Sequence, residues 1–450
     1  MTRPARERQR EHCVREEAAL GFLGLLAFVS FLLVRPFFDA ASAYRPRPAG
    51  TTYAYSFLVL AAFVPYLLAV RPSSRPVSIA SAITGAAVLH LVLLPAPLTQ
   101  SQDLYSYLFY GKMWAVHGAN PYVDLPQAFG SDPWFAFVRW PDQPSVYGPV
   151  WTLLSGAIAR ISGGSVAVAF GLTKTLVGLL LLASVAGLAR AARDRDLDPG
   201  ATVVLFAWNP LVLTSVSLGG HADIAVACGV VWAALADRRG KPLIAAILLS
   251  LATLVKAYAG LALIVYLLVL LRRRGPALRA GALAGGMMAL AHAPFWAGLD
   301  TFSGLIRVAG MSSASLAGSL ESMLAIPLNG SVAGLIVRAL GVVVLATVVL
   351  RTTLTRRGDV DPWKAAAVAF ATYVAVTPWF LYWHLVGPLA LGVFAAERGV
   401  RDGLLTFSGT ALLTVSGGTV AGRAMQSLLR YGVPALAALP SLHRHREASA

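Results

Sequence analysis

Residues 77–94 read VSIASAITGAAVLHLVLL, a stretch without a single Lys, Arg, Asp or Glu. Comparable uncharged stretches occupy 19–34, 54–70 and 403–420. An α-helix rises 1.5 Å per residue, so about 20 apolar residues match the roughly 30 Å hydrocarbon layer of a bilayer. Repeated along the chain, such stretches predict an all-α polytopic transmembrane bundle of about 11–14 spans.

The composition supports the same fold class. Hydrophobic residues make up 57% of the 450 residues and charged residues only 13%, whereas about a quarter of the residues of a soluble protein are charged. The net charge of +16 comes largely from short Arg runs between apolar stretches, which is typical of cytoplasmic anchors of membrane helices. Membrane lipids are therefore the expected partners, and nucleic acid is not. Cys13 and Cys228 lie in a basic tail and an apolar stretch, which predicts no disulfide.

The basic runs predict the topology once the amino terminus is taken as cytoplasmic. They divide the chain into a cytoplasmic basic tail (1–17), a single transmembrane domain (18–440) and a cytoplasmic tail (441–450). Residues 98–164 are expected outside, as a loop with juxtamembrane helices. In this scheme 150–161 lies at the interface, because a crossing there would invert every later segment.

Two stretches within the domain have basic residues at both ends, so each must turn back. They are 242–271, with Lys256 near the turn, and 363–397, which turns around 379–384. The arms of 242–271 are short for full spans, which predicts a shallow hairpin. The other expected helices are 18–34, 52–70, 77–97, 165–189, 201–218, 222–236, 278–298, 330–350, 403–420 and 424–440.

Ionisable residues that are not Arg anchors gather on the predicted outer side. An ionisable group beside a bilayer is costly unless it is solvated, paired or used, so this convergence predicts a site, with wet outer loops as the simpler alternative. Lys174 and Arg338 fall within predicted spans and have no predicted role. The outer set comprises Asp103, Lys112, His117, Asp124, Asp132, Arg139, Asp142, His221, Asp223, Lys256, His292, Asp300, Arg307, Glu321 and His384.

Asp103 is the most informative member of this set. It follows directly on a predicted span and precedes Tyr105, Tyr107 and Tyr110 at interface depth. The aromatic residues have an ordinary explanation as an interfacial belt, and an Asp at a helix start also serves as a cap. A functional carboxylate and a simple cap are both consistent with this position.

The predicted helix 201–218 is interrupted by Pro210, near its predicted outer end. A proline there frees backbone carbonyls, which need partners from protein or a wet cavity. His221 and Asp223 follow shortly after. Being two residues apart, they would face different ways on a helix, so a loop is favoured over direct pairing between them.

Several short motifs follow one another along the chain: Asp103-x-Tyr-x-Tyr, Gly118-x-Asn-Pro-Tyr122, Tyr147-Gly-Pro149, Asn209-Pro-Leu-Val212, Gly219-Gly-His-Ala-Asp223, Leu254-Val-Lys256 and Thr377-Pro-Trp-Phe-Leu-Tyr-Trp383. In this order they resemble the GT-C superfamily of polyprenyl-phosphate-sugar glycosyltransferases, and most of all the actinobacterial α-(1→6)-mannosyltransferases that extend lipomannan. The likeness covers roughly 75–400, and its specificity comes from the order of the motifs.

The resemblance implies a multi-pass plasma-membrane enzyme with an active site on the extracytoplasmic side. It implies a donor such as polyprenyl-phosphate-mannose, a lipid-linked glycan or glycolipid acceptor, and inversion at the sugar carbon with Asp103 as general base. No further cofactor is expected. Because the donor already carries its phosphate, no divalent ion is needed to bind a nucleotide pyrophosphate, and no metal ligands are predicted.

The reaction requires a base for the acceptor hydroxyl, no protein nucleophile if it inverts, and cations or hydrogen-bond donors for the leaving phosphate. Lys256 comes first for the phosphate because it interrupts an apolar stretch, with snorkelling at a helix end as its alternative. The other residues predicted to bind donor phosphate or substrate are His221, Asp223, His292, Arg307, Tyr105, Asn120, Tyr147, Trp379 and His384.

A transporter or lipid flippase is the main alternative function. Such folds carry internal repeats and broken helices that meet at the bilayer midplane, whereas no convincing repeat is seen here and Asp103 lies at an outer helix end. A membrane scaffold without catalysis is a third alternative, and it predicts that Asp103 and Lys256 tolerate substitution. Arabinose, glucose and galactose stay open beside mannose, because sugar selection depends on a few contacts in three dimensions.

Overall fold

The computed structural model describes residues 19–30, 61–70, 77–98, 101–355, 359–413 and 420–447. The predicted basic tail 1–17 lies outside these residues, as does the part 52–60 of the predicted helix 52–70. Every regular element within the described residues is a helix. The predicted all-α class is confirmed.

The first half of the chain forms helices that precede or surround the polar outer segment. They are α1 (Ala19–Ser30), α2 (Phe63–Ala69), α3 (Ile79–Leu93), α4 (Asp103–Ala115), α5 (Pro149–Ile161), α6 (Val166–Arg193), α7 (Pro199–Ala207), α8 (Pro210–Val212, continued by a π-helical turn Leu213–Leu218) and α9 (Asp223–Arg238).

The second half continues with two hairpins and a closing antiparallel pair. Its helices are α10 (Pro242–Thr253), α11 (Gly260–Arg272), α12 (Ala277–His292), α13 (Ser303–Ala309), α14 (Leu316–Leu324), α15 (Gly330–Leu350), α16 (Pro362–Val376), α17 (Val386–Phe394), α18 (Arg398–Thr410) and α19 (Val420–Glu447). Short turns of 3-10 helix lie between several of them.

Helices long and apolar enough to cross a membrane confirm that this is a membrane protein. In the described ranges they are Val166–Arg193 and Gly330–Leu354. Two bent pairs raise the number from two to four if each pair is one span, namely Pro199–Ala207 with Pro210–Leu218 and Ala277–Phe295 with Gly298–Ala309. Shorter apolar helices such as Ile79–Leu93 accompany them. The predicted total of about 11–14 spans stays a prediction.

The predicted juxtamembrane helix 150–161 is present as α5. Its 13 residues rise about 20 Å, well short of the roughly 30 Å of a hydrocarbon layer. Its length therefore agrees with the predicted interfacial placement. Helix α5 packs against α4, and the two backbones come close at Gly111 and Gly156, where a side-chain carbon at Gly111 would collide with the α5 backbone.

The predicted boundaries of the last two helices are wrong. The uncharged stretch 403–420 does not form one helix, because α18 begins at Arg398 and ends at Thr410, while α19 begins at Val420. Residues 411–413, which follow Thr410 and are the last described residues before 420, are not helical. Helix α19 also runs to Glu447, so most of the predicted tail 441–450 is helical.

The turn of the hairpin 242–271 is held against the start of α5. The N–H of Gly148 donates to the Val255 carbonyl at 3.0 Å, and the N–H of Val150 donates to the Leu254 carbonyl at 3.1 Å. Gly148 is required here, since a side-chain carbon would collide with the Leu254 carbonyl. This confirms the predicted hairpin and brings Lys256, at its turn, close to Tyr147.

Candidate functional site

A cavity of about 860 Å³ opens between the start of α4, the loop before α5, the 256–258 turn, α13, α15 and the turn after α16. Cavities of 300–1,000 Å³ are typical of ligand sites. Of the residues predicted from the sequence, those that line this cavity are Asp103, Tyr147, Lys256, Trp379 and His384.

Asp103 is the first residue of α4, so its carboxylate sits at the positive end of the helix dipole. Its backbone N–H donates to the Ser101 hydroxyl at 3.1 Å, and its side chain is 13% exposed, towards the cavity. Burial raises the pKa of this carboxyl above its ordinary value of 3.8, and the nearby Lys256 ammonium offsets part of the rise. The carboxylate is thus a stronger base than an exposed aspartate.

His221 lies behind Asp103, away from the cavity surface. Its Nδ1 is 3.8 Å from Oδ2 of Asp103 and 3.4 Å from the Tyr107 hydroxyl. The imidazole is fully buried and stacks on Trp383, with 4.0 Å between ring centroids. His221 therefore lies close behind the Asp103 carboxylate without a hydrogen bond to it, and it does not line the cavity itself.

Lys256 forms a buried ion pair with Asp223. The Lys256 Nζ lies 3.2 Å from Oδ2 of Asp223, whose other oxygen accepts a hydrogen bond from the Tyr258 hydroxyl at 2.9 Å. The same ammonium lies 5.0 Å from the centroid of the Tyr147 ring. Its charge is paired inside the protein and does not extend to an interface, which excludes the snorkelling alternative.

Lys174, for which the sequence suggested no role, supports the segment that carries His221. Its Nζ donates to the carbonyls of Ser217 and Leu218, the latter at 2.9 Å, at the carboxyl end of the π-helical turn. These carbonyls lie at the end of the turn, where no later helical N–H reaches them, and a cation is favoured at such a helix end. In the sequence, the signal for such a role was a lysine within an apolar stretch. In the structure this lysine is fully buried.

Replacing Lys174 by Met is expected to lower the free energy of unfolding by about 1–3 kcal/mol, because two buried carbonyls lose their donor. Thermal unfolding of the purified protein in detergent measures this. Lys241→Met serves as the matched control, since Lys241 is exposed at the start of α10. Equal melting temperatures for Lys174→Met and the wild type would contradict the assigned role.

Four predicted residues lie away from the cavity lining, each engaged elsewhere. The ring of Tyr105 stacks against Phe137 and Phe170. Polar atoms of the other three bond to backbone carbonyls: Asn120 to Phe295 at 2.8 Å, His292 to Met288 at 2.8 Å, and Arg307 to Asp142 at 3.0 Å. These contacts anchor loops and helix ends.

The structure adds lining residues that the sequence did not assign to substrate or donor binding: Tyr110, Arg139, Trp140, Gln143, Tyr258, Arg338 and Trp383. For Arg338 the sequence did contain a signal of a specific role, because an arginine within an apolar helix is costly. Its guanidinium binds the carbonyls of Ala309, Gly310 and Met311 and the Glu321 carboxylate, which lies 3.3 Å away. Trp383 ends one motif and Tyr258 closely follows another, and from the sequence neither could be distinguished from residues of an interfacial aromatic belt.

No group of three or more His, Cys, Asp or Glu side chains in the described part of the chain is arranged to hold a metal ion. Asp103, His221 and Asp223 are instead committed to Tyr107, Lys256 and one another. The predicted dispensability of a metal ion remains a prediction.

Comparison with known proteins identifies the family. Residues 24–272 match the family described as alpha-(1->6)-mannopyranosyltransferase, N-terminal domain. This range covers more than half of the chain and includes Asp103, His221 and Lys256, but it ends before Trp379 and His384. No curated protein matches the chain. The chain therefore belongs to the alpha-(1->6)-mannopyranosyltransferase family and is a membrane glycosyltransferase.

Proposed function

We propose that the protein transfers mannose from a polyprenyl-phosphate donor to a hydroxyl of a lipid-linked glycan or glycolipid, with inversion and with Asp103 as general base. The observation that carries the proposal is the Asp103 carboxylate on the wall of the 860 Å³ cavity, with His221 behind it. The family match independently supports mannose as the sugar.

The apolar part of the cavity wall supports a lipid-linked donor. Side chains from α13, α15 and α16 line it without a charge, namely Leu305, Val308, Val342, Leu345 and Val376. Helix α15 also carries large apolar side chains that are exposed, as Val342 is at 67%. A polyprenyl chain could thus lie along α15 while its phosphate reaches the polar part of the cavity.

The chemistry follows from one base and one leaving group. The acceptor oxygen forms a bond to the anomeric carbon while the bond from that carbon to the phosphate oxygen breaks. Asp103 takes the acceptor proton, and polyprenyl phosphate leaves with the electron pair of the broken bond. An α-linked product then requires a β-linked donor. Lys256 and His221 set the electrostatic environment of the Asp103 carboxylate and do not contact the sugar.

The orientation and setting of the enzyme belong to the same proposal. We place the site at the extracytoplasmic face of the plasma membrane, in a GT-C bundle that acts in lipomannan synthesis without a cofactor beyond the donor. The polar loop 98–147 between two apolar helices supports this orientation. Neither the cavity nor the family match supports the transporter or flippase alternative.

The test is transfer of labelled mannose by the purified protein from polyprenyl-phosphate-mannose to a mannosyl acceptor. The expected product carries an α-linked mannose when the donor is β-linked. Transfer from a nucleotide sugar alone, or a β-linked product, would contradict the proposal. Absence of transfer from folded protein with either donor would exclude it.

The pH dependence of transfer follows from the raised pKa of Asp103. The ionised carboxylate is the active form, so kcat/KM should fall as the pH drops through that pKa. Since burial raises the pKa of Asp103, the acid limb of the pH profile is expected above the ordinary aspartate value of 3.8. A pH profile of kcat/KM at saturating acceptor measures this, and an acid limb at or below 3.8 would argue against Asp103 as the base.

A further inference from the structure

Two arginines and one lysine line the cavity: Arg139, Arg338 and Lys256. Two of them are neutralised by carboxylates of the protein. Lys256 is paired with Asp223 at 3.2 Å, and Arg338 is paired with Glu321 at 3.3 Å. Each therefore contributes little net charge to a ligand, because its partner carboxylate repels an anion at the same site.

Arg139 differs from the other two. In the described ranges its guanidinium has no carboxylate within ion-pair distance, and its one side-chain contact is with the neighbouring Trp140 ring, at 6.0 Å from the centroid. The side chain is exposed at the cavity wall. Its five N–H donors are thus available to a ligand.

The backbone that follows Arg139 is fixed by three hydrogen bonds, at residues 141, 142 and 143. The Tyr110 hydroxyl donates to the Gln143 carbonyl at 2.8 Å, and Arg307 donates to the Asp142 carbonyl at 3.0 Å. The N–H of Gln127 donates to the Pro141 carbonyl at 2.9 Å. The segment that carries this uncompensated cation is therefore held at the cavity wall, which reduces the ordering that binding of an anion requires of the backbone.

We infer that Arg139 binds the phosphate of the lipid-linked donor and stabilises it as it leaves. The inference rests on the proposed function and names the residue that recognises the leaving group. A planar guanidinium matches two phosphate oxygens at once, and its charge offsets the negative charge that develops when the sugar–oxygen bond breaks. Lys256, predicted from the sequence for this role, instead neutralises Asp223.

Binding of a polyprenyl monophosphate to the purified full-length protein tests the inference without requiring turnover. Arg139→Gln is expected to weaken its binding by about tenfold to a hundredfold, the effect of losing a charge-assisted hydrogen-bond pair. Arg139→Lys should retain part of the affinity. The matched control is Arg160→Gln, which removes an exposed arginine outside the cavity and should bind as the wild type does.

Three further ligands identify what the site recognises. Polyprenol of the same length should bind wild type and Arg139→Gln equally, because it lacks the phosphate. Inorganic phosphate and an anionic phospholipid would compete strongly with the monophosphate if the site accepted any phosphate. We expect both to compete weakly. Strong competition by the phospholipid would overturn the assignment to the donor and indicate a headgroup site.

The outcomes separate this inference from the proposed function. If the wild type transfers mannose and Arg139→Gln binds the monophosphate with unchanged affinity, the role of Arg139 is refuted while the transferase stands. If the wild type binds the monophosphate through Arg139 but transfers no mannose, the binding role stands and the proposed function is refuted. Folding of each variant is checked by its melting temperature.

Discussion

Replacing Asp103 by Asn is expected to reduce mannose transfer by about 10²–10⁴-fold, the usual contribution of a general base. Asparagine keeps the shape of the side chain, but it cannot take the proton from the acceptor hydroxyl. The transfer assay with labelled polyprenyl-phosphate-mannose measures the loss. Since the side chain lines the cavity beside His221, the fall should appear in kcat more than in the KM of either substrate.

Two measurements show whether the loss of activity is specific to the Asp103 carboxylate. Asp300→Asn is the matched control, because Asp300 is an exposed aspartate that does not line the cavity, and its activity should equal that of the wild type. Asp103→Asn should also melt no lower than the wild type, since a buried carboxyl with a raised pKa gains little from being charged. Retention of wild-type transfer by Asp103→Asn would rule out the proposed base.

The second large effect concerns the buried pair of Lys256 and Asp223. Lys256→Met should lower the free energy of unfolding by about 3–5 kcal/mol, because it leaves the carboxylate of Asp223 without a cation in the interior. Asp223 is fully buried and keeps only the Tyr258 hydroxyl as a partner. Thermal unfolding in detergent and the yield of folded protein measure the loss.

A second substitution distinguishes an ion pair from simple packing. Asp223→Asn on the Lys256→Met background removes the orphaned charge, so the double variant should recover most of the lost stability. A double-mutant cycle then gives a coupling energy well above zero. If the double variant is destabilised by the sum of the two single effects, the pair contributes no specific interaction. Lys364→Met, on the exposed face of α16, controls for loss of a lysine.

The local parts of the fold were predictable because they depend on neighbouring residues. Apolar stretches of suitable length indicated helices such as α3, α6 and α15. Prolines and capping side chains set several helix starts, as at Pro210, where the Asn209 side chain accepts the N–H of Leu211 at 2.9 Å. The end of α18 was missed, since a run without charges says little about where a helix stops.

The candidate site was predictable only in part. Asp103, Tyr147, Lys256, Trp379 and His384 were singled out from motifs, and all five line one cavity. Their mutual roles were not apparent, because a motif shows that a polar side chain is present without showing what it faces. Lys256 was chosen for the phosphate because it interrupts an apolar stretch, and the carboxylate that is paired with it, Asp223, comes from α9, more than thirty residues earlier.

The sequence by itself determined the class of this protein: an all-α membrane chain with a polar segment, 98–147, between its apolar stretches. These properties depend on hydrophobicity and on residues a few positions apart. Only the tertiary structure decided that His221 lies behind Asp103, that Lys256 neutralises Asp223 and that, among the described residues, no carboxylate pairs with Arg139. Charges interact through space over a few ångströms, so their pairing depends on how the helices pack and not on their spacing along the chain.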